Sequence, residues 1–235
     1  NRMNERQKKE LLTSYFSSQN MNYSMLRIPI DSCDFSVCHY EAVSDQTDRQ
    51  MKSVQLKRPE KTIFPRLDAI QKTYGKNIDI MLTPWSPTPF MKTNGERNHG
   101  GKLKEEYKQF WADYICHYIV EYRKRGYHVG RLSLQNEPKA VQSWDACIYS
   151  AEDEKIFLSD YLWPALVQNH LTDVEIFIWD HNKERALERA AVTINEETDK
   201  MISGIALHWY SGDHFEAVRM LHEKYPDKKL ILSEA

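Results

Sequence analysis

Six short runs of aliphatic and β-branched residues recur along the chain, at 24–30, 78–83, 130–134, 174–178, 202–207 and 230–232. Most are close to continuous in apolar character, the pattern of a strand covered on both faces rather than one. Between them the period changes to that of a helix. Over 103–122, apolar or aromatic residues fall at 103, 107, 110, 111, 114, 115, 118, 119 and 122, followed by Arg123-Lys124-Arg125 and Gly126. That spacing predicts one amphipathic helix with a basic carboxyl end and a glycine stop. Ser150 with Asp153 three residues on predicts a capped helix start, and Pro164 a kink late in that helix. Asp213 with Glu216 offers a similar pair for a helix through Tyr225, ended by Pro226. A helix over 5–17 precedes the first strand. No internal repeat or low-complexity tract divides the chain, so 1–235 reads as one domain. Strand–helix alternation of this kind predicts parallel β-α units, wound into an open sheet or closed into a barrel.

Composition removes several classes of function. The 235 residues carry 32 Lys+Arg against 34 Asp+Glu, a formal net charge of −2, whereas a protein that binds by neutralising phosphates carries a basic excess. No nucleic-acid partner is expected. At 41% hydrophobic and 28% charged residues, the chain has enough apolar material for a core, which excludes disorder. No apolar stretch approaches the ~18 residues of a membrane helix, and the first thirty residues lack a signal-peptide core. The expectation is a soluble protein with no integral membrane segment, its location, cytoplasmic or secreted, left open. The chain begins at Asn1, so an address could precede it. Cys33, Cys38, Cys116 and Cys147 form no C-x-x-C pair and read as reduced core thiols.

The chemistry lies just after the apolar runs. Asp31 to Asp34 follow the first, Trp85 the second, Asn136-Glu137 the third, Asp180-His181-Asn182 the fourth, His208-Trp209-Tyr210 the fifth and Glu234 the last. An open sheet concentrates its site at one switch point, whereas a barrel builds it from the carboxyl ends of many strands. Six chemically equipped strand ends favour the barrel. Glu137 and Glu234 lie 97 residues apart, three β-α units of about 32 residues each, which places them across a barrel mouth. Two facing carboxyl groups are the minimal equipment for glycoside hydrolysis.

Five stretches carry a resemblance: LRIPIDSCDFS at 26–36, TPWSPTPFMKTNG at 83–95, QNEP at 135–138, GIALHWY at 204–210 and LSEA at 232–235. In this order, over nearly the whole chain, they resemble glycoside hydrolase family 30, which includes the glucosylceramidases. The resemblance implies an α/β protein with a (β/α)8 barrel and a retaining mechanism. It implies that Glu137 is the general acid/base and Glu234 the nucleophile. Asn136 would bond the sugar 2-hydroxyl, Asp34 and Trp85 would hold hydroxyls of the nonreducing-end sugar, and His208 and Tyr210 would line the pocket beside the nucleophile. Arg27 would lie beneath the site and orient its carboxylates. Trp144 follows Asn-Glu-Pro where glucosylceramidases carry an aromatic residue, and is expected as a substrate platform.

The roles make physical demands of their own. A retaining pair must stand about 5–5.5 Å apart, with Glu234 ionised to attack and Glu137 protonated to donate. Their environments must therefore separate the two pKa values. Trp85 and Trp144 have flat faces suited to the C–H side of a pyranose, and Asp34 an acceptor fork for its hydroxyls. A metal hydrolase using Asp180, His181 and His208 is the weaker alternative, since no H-x-H pair or H-E-x-x-H helix is present. No strand ends in a Schiff-base lysine, and no metal or other cofactor is expected. The 34–65 connection reads as a solvated insertion rather than a substrate lid.

A complete barrel has eight strands, and six are visible here. The first and eighth strands and the family's β-sandwich side domain are expected to lie elsewhere, and the remainder of the chain is the expected partner besides a glycoside substrate. The most direct expectation is a β-glucosidase of glucosylceramidase type. The alternatives are a β-xylosidase, a β-1,6-glucanase, or an inactive truncated sugar-binding barrel.

Overall fold

A computed structural model describes residues 3–75 and 77–235. Six strands form one sheet in chain order, each parallel to the next: β1 (Met25–Ile30), β2 (Asp79–Pro84), β3 (His128–Ser133), β4 (Glu175–Asn182), β5 (Gly204–His208) and β6 (Lys229–Glu234). The connecting helices are α2 (Lys57–Thr62), α3 (Phe64–Tyr74), α4 (Lys108–Lys124), α5 (Ala151–Ile156), α6 (Trp163–Gln168), α7 (Ala186–Thr193) and α8 (Phe215–Lys224), with α1 (Glu5–Phe16) ahead of the first strand. The architecture is a partial β/α barrel. Every expected strand is present.

Alternate strand residues face two different environments. Ile80, Leu82, Ile176, Ile178, Ile205 and Leu207 pack outward with Trp111, Ile115 and Ile119 of α4 in the main core. Met81, Phe177 and Ala206 form a small separate cluster on the other, concave face, joined by Ile231. That face turns charged towards the strand starts. Arg131 bonds Asp79 and lies 3.2 Å from Glu175, which also bonds Lys229. The apolar runs thus cover a concave face with a charged end, which the expectation of strands apolar on both faces did not anticipate.

The helices follow the sequence with three departures. The 103–122 stripe begins its α-helix only at Lys108, after a 3-10 turn at Glu105–Tyr107, because Leu103 pairs with Lys92 in an isolated bridge. Ser150 caps α5 as expected, with Asp153 closing the box, and the chain passes through a π-helical turn at Phe157–Leu162 just before Pro164. A widened turn there accommodates the N–H that proline lacks. Asp213 does not cap α8. The N-cap is His214 at φ 40°, and no side chain bonds the first turn, because capping needs extended rather than left-handed backbone at that position. Of the cysteines, Cys33, Cys116 and Cys147 are buried, but Cys38 is exposed on the loop after β1.

That loop is only partly a solvated insertion. Its tip at 44–50 is largely exposed, but Ala42, Val43 and Leu56 join the main core. The Ala42 N–H donates to Asp31 Oδ1 at 3.0 Å and to the Tyr114 hydroxyl oxygen at 2.8 Å. The reciprocal cap at α5 supports the helix that leads from the β3 loop into the core. Replacing Ser150 with Ala should lower the unfolding free energy of the complete gene product by about 1 kcal/mol. Urea denaturation of the variant beside the parent measures this.

Candidate active site

Arg27 points from β1 into the concave face and joins three other strand ends. Its Nη2 donates to Asn136 Oδ1 at 2.7 Å and to Asp180 Oδ2 at 2.8 Å, and its Nη1 donates to Glu234 Oε2 at 3.1 Å. The guanidinium also lies 4.5 Å from the centre of the Trp85 ring. A planar cation with five fixed donors suits this task, because one group can orient several acceptors at once.

Asp180 is the buried anion opposite. It sits where β4 slips register against β5, between Trp179 and His181, and both Trp179 and Asp180 have left-handed backbone, φ 71° and 44°. The bulge turns the carboxylate inward to accept from Arg27, from the hydroxyls of Ser133 at 2.5 Å and Ser233 at 2.6 Å, and from His208 Nε2 at 3.1 Å. Burial alone would raise its pKa. The Arg27 charge, the bond and charge of His208 and the Ser133 hydroxyl overcome that and hold it far below the usual carboxylate range.

His208, fully buried at the end of β5, stands between the two glutamates. Its Nδ1 is 3.2 Å from Glu137 Oε1, and its Nε2 is 3.4 Å from Glu234 Oε2. Burial works against its charged form, but the bonds to Asp180 and Glu137 raise its pKa to about 9. One imidazole therefore spans the pair, and the two carboxylates stand across the width of a single ring. Tyr210 completes the rim, its hydroxyl donating to Glu234 Oε1 at 3.3 Å, and its phenol is pushed up to about 12 by burial and the Glu234 charge.

The charge pattern departs from the expected one. Burial raises the pKa of Glu137, but the His208 hydrogen bond and the charges of His181 and His208 outweigh it, and the net direction is down. Glu234 goes up: burial dominates, and Arg27 and His208 offset it only in part. The sequence reading asked for a proton on Glu137 and a charge on Glu234. The cause is His208, which the resemblance places beside the nucleophile but which is a cation here and makes its shorter contact with Glu137.

The remaining expected residues divide. Asn136 is buried, with its oxygen held by Arg27. Asp34 is exposed in the same electrostatic field: burial of its carboxyl raises its pKa, nearby backbone N–H groups lower it, and the Glu137 charge raises it again. Trp85 is only 3% exposed and has Arg27 against its ring, so it is not the open platform the sequence suggested. Trp144 is 39% exposed, and among the described residues no hydrogen bond or ring contact joins it to the glutamates.

Sequence reasoning missed a second buried charge cluster that ties these loops together. Arg97 donates from Nε to Asp145 Oδ1 at 2.7 Å and from Nη2 to the Ser86 carbonyl at 3.0 Å, while its Nη1 faces Asp31 at 4.0 Å and Glu41 at 3.6 Å. Asp145 follows Trp144, Ser86 follows Trp85, and Asp31 lies on the loop of Asp34. A lone arginine in a polar loop gave no signal of burial.

Comparison with known proteins identifies the family. Parallel β-α units with paired carboxyl groups at their carboxyl ends occur in barrels of many functions, and the family match gives the class here, a glycoside hydrolase barrel. Residues 1–235 match the glycosyl hydrolase family 30 TIM-barrel domain, and the chain belongs to that family. It is 30% identical over 240 residues to lysosomal acid glucosylceramidase of Mus musculus, covering 97% of this chain and 46% of that protein. It is 24% identical over 244 residues to endo-1,6-beta-D-glucanase neg1 of Aspergillus fumigatus, covering 96% and 49%. Among solved structures, SrfJ from Salmonella typhimurium superposes with a TM-score of 0.92 at 42% identity, covering 97% of this chain and 51% of that one. The chain spans about half the length of the relatives it matches.

Asp31 carries a testable electrostatic consequence. Burial outweighs Arg97, Tyr114 and the Ala42 N–H, so its pKa is raised from 3.8 to about 6. Between about pH 4 and 6 the folded protein holds a proton there that the unfolded chain has released, so this group makes stability fall as pH rises through that window. The full span is about 3 kcal/mol, from two pKa units. Asp31→Asn should remove that component. Urea denaturation of both proteins at pH 4.5 and pH 7 tests it, and equal pH dependence in the two would refute it.

Proposed function

We propose that this chain is the catalytic part of a retaining β-glycosidase working by double displacement, with a β-glucoside as substrate. The observation that supports it most directly is His208, one imidazole in contact with both Glu137 and Glu234 at the mouth of the partial barrel. In this reading Glu234 attacks the anomeric carbon, with Arg27 and Tyr210 fixing its two oxygens. Glu137 protonates the departing oxygen and later takes a proton from water. Asn136 donates to the 2-hydroxyl, Asp34 accepts from hydroxyls of the same ring, and Trp144 covers an apolar sugar face.

Three carboxylates face two cations here, Arg27 and His208, so the cluster favours one proton among its acids. Double displacement needs that proton on Glu137 when substrate is bound. A glycosidic oxygen beside Glu137 supplies an acceptor that favours the protonated acid, while an emerging positive anomeric carbon favours charge on Glu234. Substrate thus reverses the resting preference of the pair. A β-1,6-glucan as substrate is the second reading, supported by the match to the Aspergillus fumigatus endo-glucanase. Residues 1–235 are taken as one catalytic unit whose activity belongs to the complete polypeptide.

Hydrolysis of aryl β-glycosides by the complete gene product is the test. Glu137→Gln should lose about 10²–10⁴-fold in kcat on substrates with poor leaving groups and much less on activated ones. Glu234→Gln should lose turnover on every substrate. A 2-fluoro-glycoside should label the parent at Glu234, located by mass spectrometry. Parent-like hydrolysis by Glu234→Gln, or no adduct in the parent, would count against the assignment, the latter favouring an inactive sugar-binding barrel. Rates on gentio-oligosaccharides against alkyl β-glucosides separate the two substrate readings.

A further inference from the structure

We propose that Glu137, His181 and His208 form a binding site for a divalent transition-metal ion of the Zn²⁺ type, and that occupancy withdraws Glu137 from the glycosidic oxygen. The inhibitory half rests on the glycosidase reading above, whereas the binding half does not. One ligand atom from each residue lies within 4.8 Å of the others. Glu137 Oε1 is 3.2 Å from His208 Nδ1 and 3.7 Å from His181 Nδ1. Ligands about 2.0–2.1 Å from a tetrahedral zinc stand roughly 3.4 Å from one another, so small side-chain rotations close the set.

Two further observations point to a ligand. His181 Nδ1 is enclosed and has no hydrogen-bond partner. Its ring lies against Trp179, centroids 5.0 Å apart, which limits how it can turn. An enclosed polar atom without a partner is costly unless something binds it. The second is Asp180, which accepts from the far nitrogen of His208 at 3.1 Å. A carboxylate behind a histidine fixes the ring, as in many zinc centres, and the ion takes its other nitrogen as that nitrogen gives up its proton to solvent.

Two imidazoles and one carboxylate select a borderline-soft ion over Mg²⁺ or Ca²⁺, which prefer all-oxygen cages. Three protein ligands leave one coordination position open to water. The ligands come from the ends of β3, β4 and β5, so no short sequence spacing reveals them. The set also differs from the one weighed from sequence: Glu137 takes the place of Asp180, which stands behind His208 instead.

The test is Zn²⁺ titration of the complete gene product by calorimetry, with Co²⁺ absorption reporting coordination geometry. One ion per chain is expected, with an intense four-coordinate Co²⁺ spectrum. His181→Ala and Glu137→Gln should each weaken binding at least tenfold, since losing even an outer partner costs roughly 10–100-fold. His99→Ala, at an exposed histidine outside the cluster, should bind like the parent. Equal affinity in the parent and His181→Ala, or binding abolished by His99→Ala, would overturn the site. Zn²⁺ should also inhibit aryl glycoside hydrolysis, reversibly with chelator, and binding without inhibition would overturn the inhibitory half. Lack of turnover in chelated protein would instead count against the glycosidase reading and leave the binding result standing.

Discussion

Arg27, Asp180 and His208 form the interaction on which the rest of the site depends. Burying an ion pair costs several kcal/mol per charge in lost hydration, and that cost is offset here by close geometry and several hydrogen bonds, although Arg27 Nε is enclosed without a partner. Asp180 accepts four hydrogen bonds, and Arg27 donates to three oxygens on three strands. Removing either group would strand the other's charge away from water. The cluster therefore fixes β1, β3, β4, β5 and β6 relative to one another at the end where Glu137 and Glu234 emerge. It also determines the electrostatics of the glutamates, since the His208 charge exists because Asp180 and Glu137 sustain it.

Local backbone strain serves the same end. Asp31, Glu137 and Asp180 all have positive φ, at 62°, 43° and 44°, without being glycine. Such residues cost about 1–3 kcal/mol each and persist where the surroundings over-determine them. Here the surroundings are visible: Asp180 has its four donors, Asp31 accepts from Tyr114 at 2.6 Å and from the Ala42 N–H, and the Glu137 N–H donates to the Asp180 carbonyl at 2.9 Å. The Glu137 and Asp180 turns are bonded directly to each other. A disturbance at the β4 bulge would therefore reach Glu137 through one backbone hydrogen bond.

Much of this was legible in the sequence, and the reason is periodicity. Strand and helix positions follow from runs such as 78–83 and 174–178 because apolar residues there are covered on either side, Ile80, Leu82, Ile176 and Ile178 by the helices and Met81 and Phe177 within the concave face. Glu137, Glu234 and His208 were legible because they follow those runs directly. What was not legible depends on contacts between segments distant in sequence. Asp180 reads as a strand-end carboxylate and a candidate metal ligand, and only the slipped register of β4, turning it inward, shows it as the partner of Arg27 and His208. Arg97 reads as a loop cation until Asp145 and Asp31 converge on it. Trp85 reads as a sugar platform until Arg27 occupies its face. The missing cap at α8 has a local cause, the left-handed His214 backbone, which composition does not signal.

The sheet is not equally enclosed along its width, and this bears on Glu234. β5 is buried at every position, whereas β6 has none that is fully buried, and Leu232 is 55% exposed. His208 thus stands on a fully buried strand, while Glu234 stands at the end of one that is only partly buried. Its one-sided surroundings, Arg27, His208 and Tyr210, all lie towards β5 and across the concave face. Structure laid against the outer edge of β6 would change the hydration of Glu234 far more than that of Glu137. Donors added there would lower the Glu234 pKa and move the shared proton towards Glu137, the distribution that double displacement requires. The resting order of the two acids thus depends on the hydration of Glu234 as well as on the residues in contact with the pair.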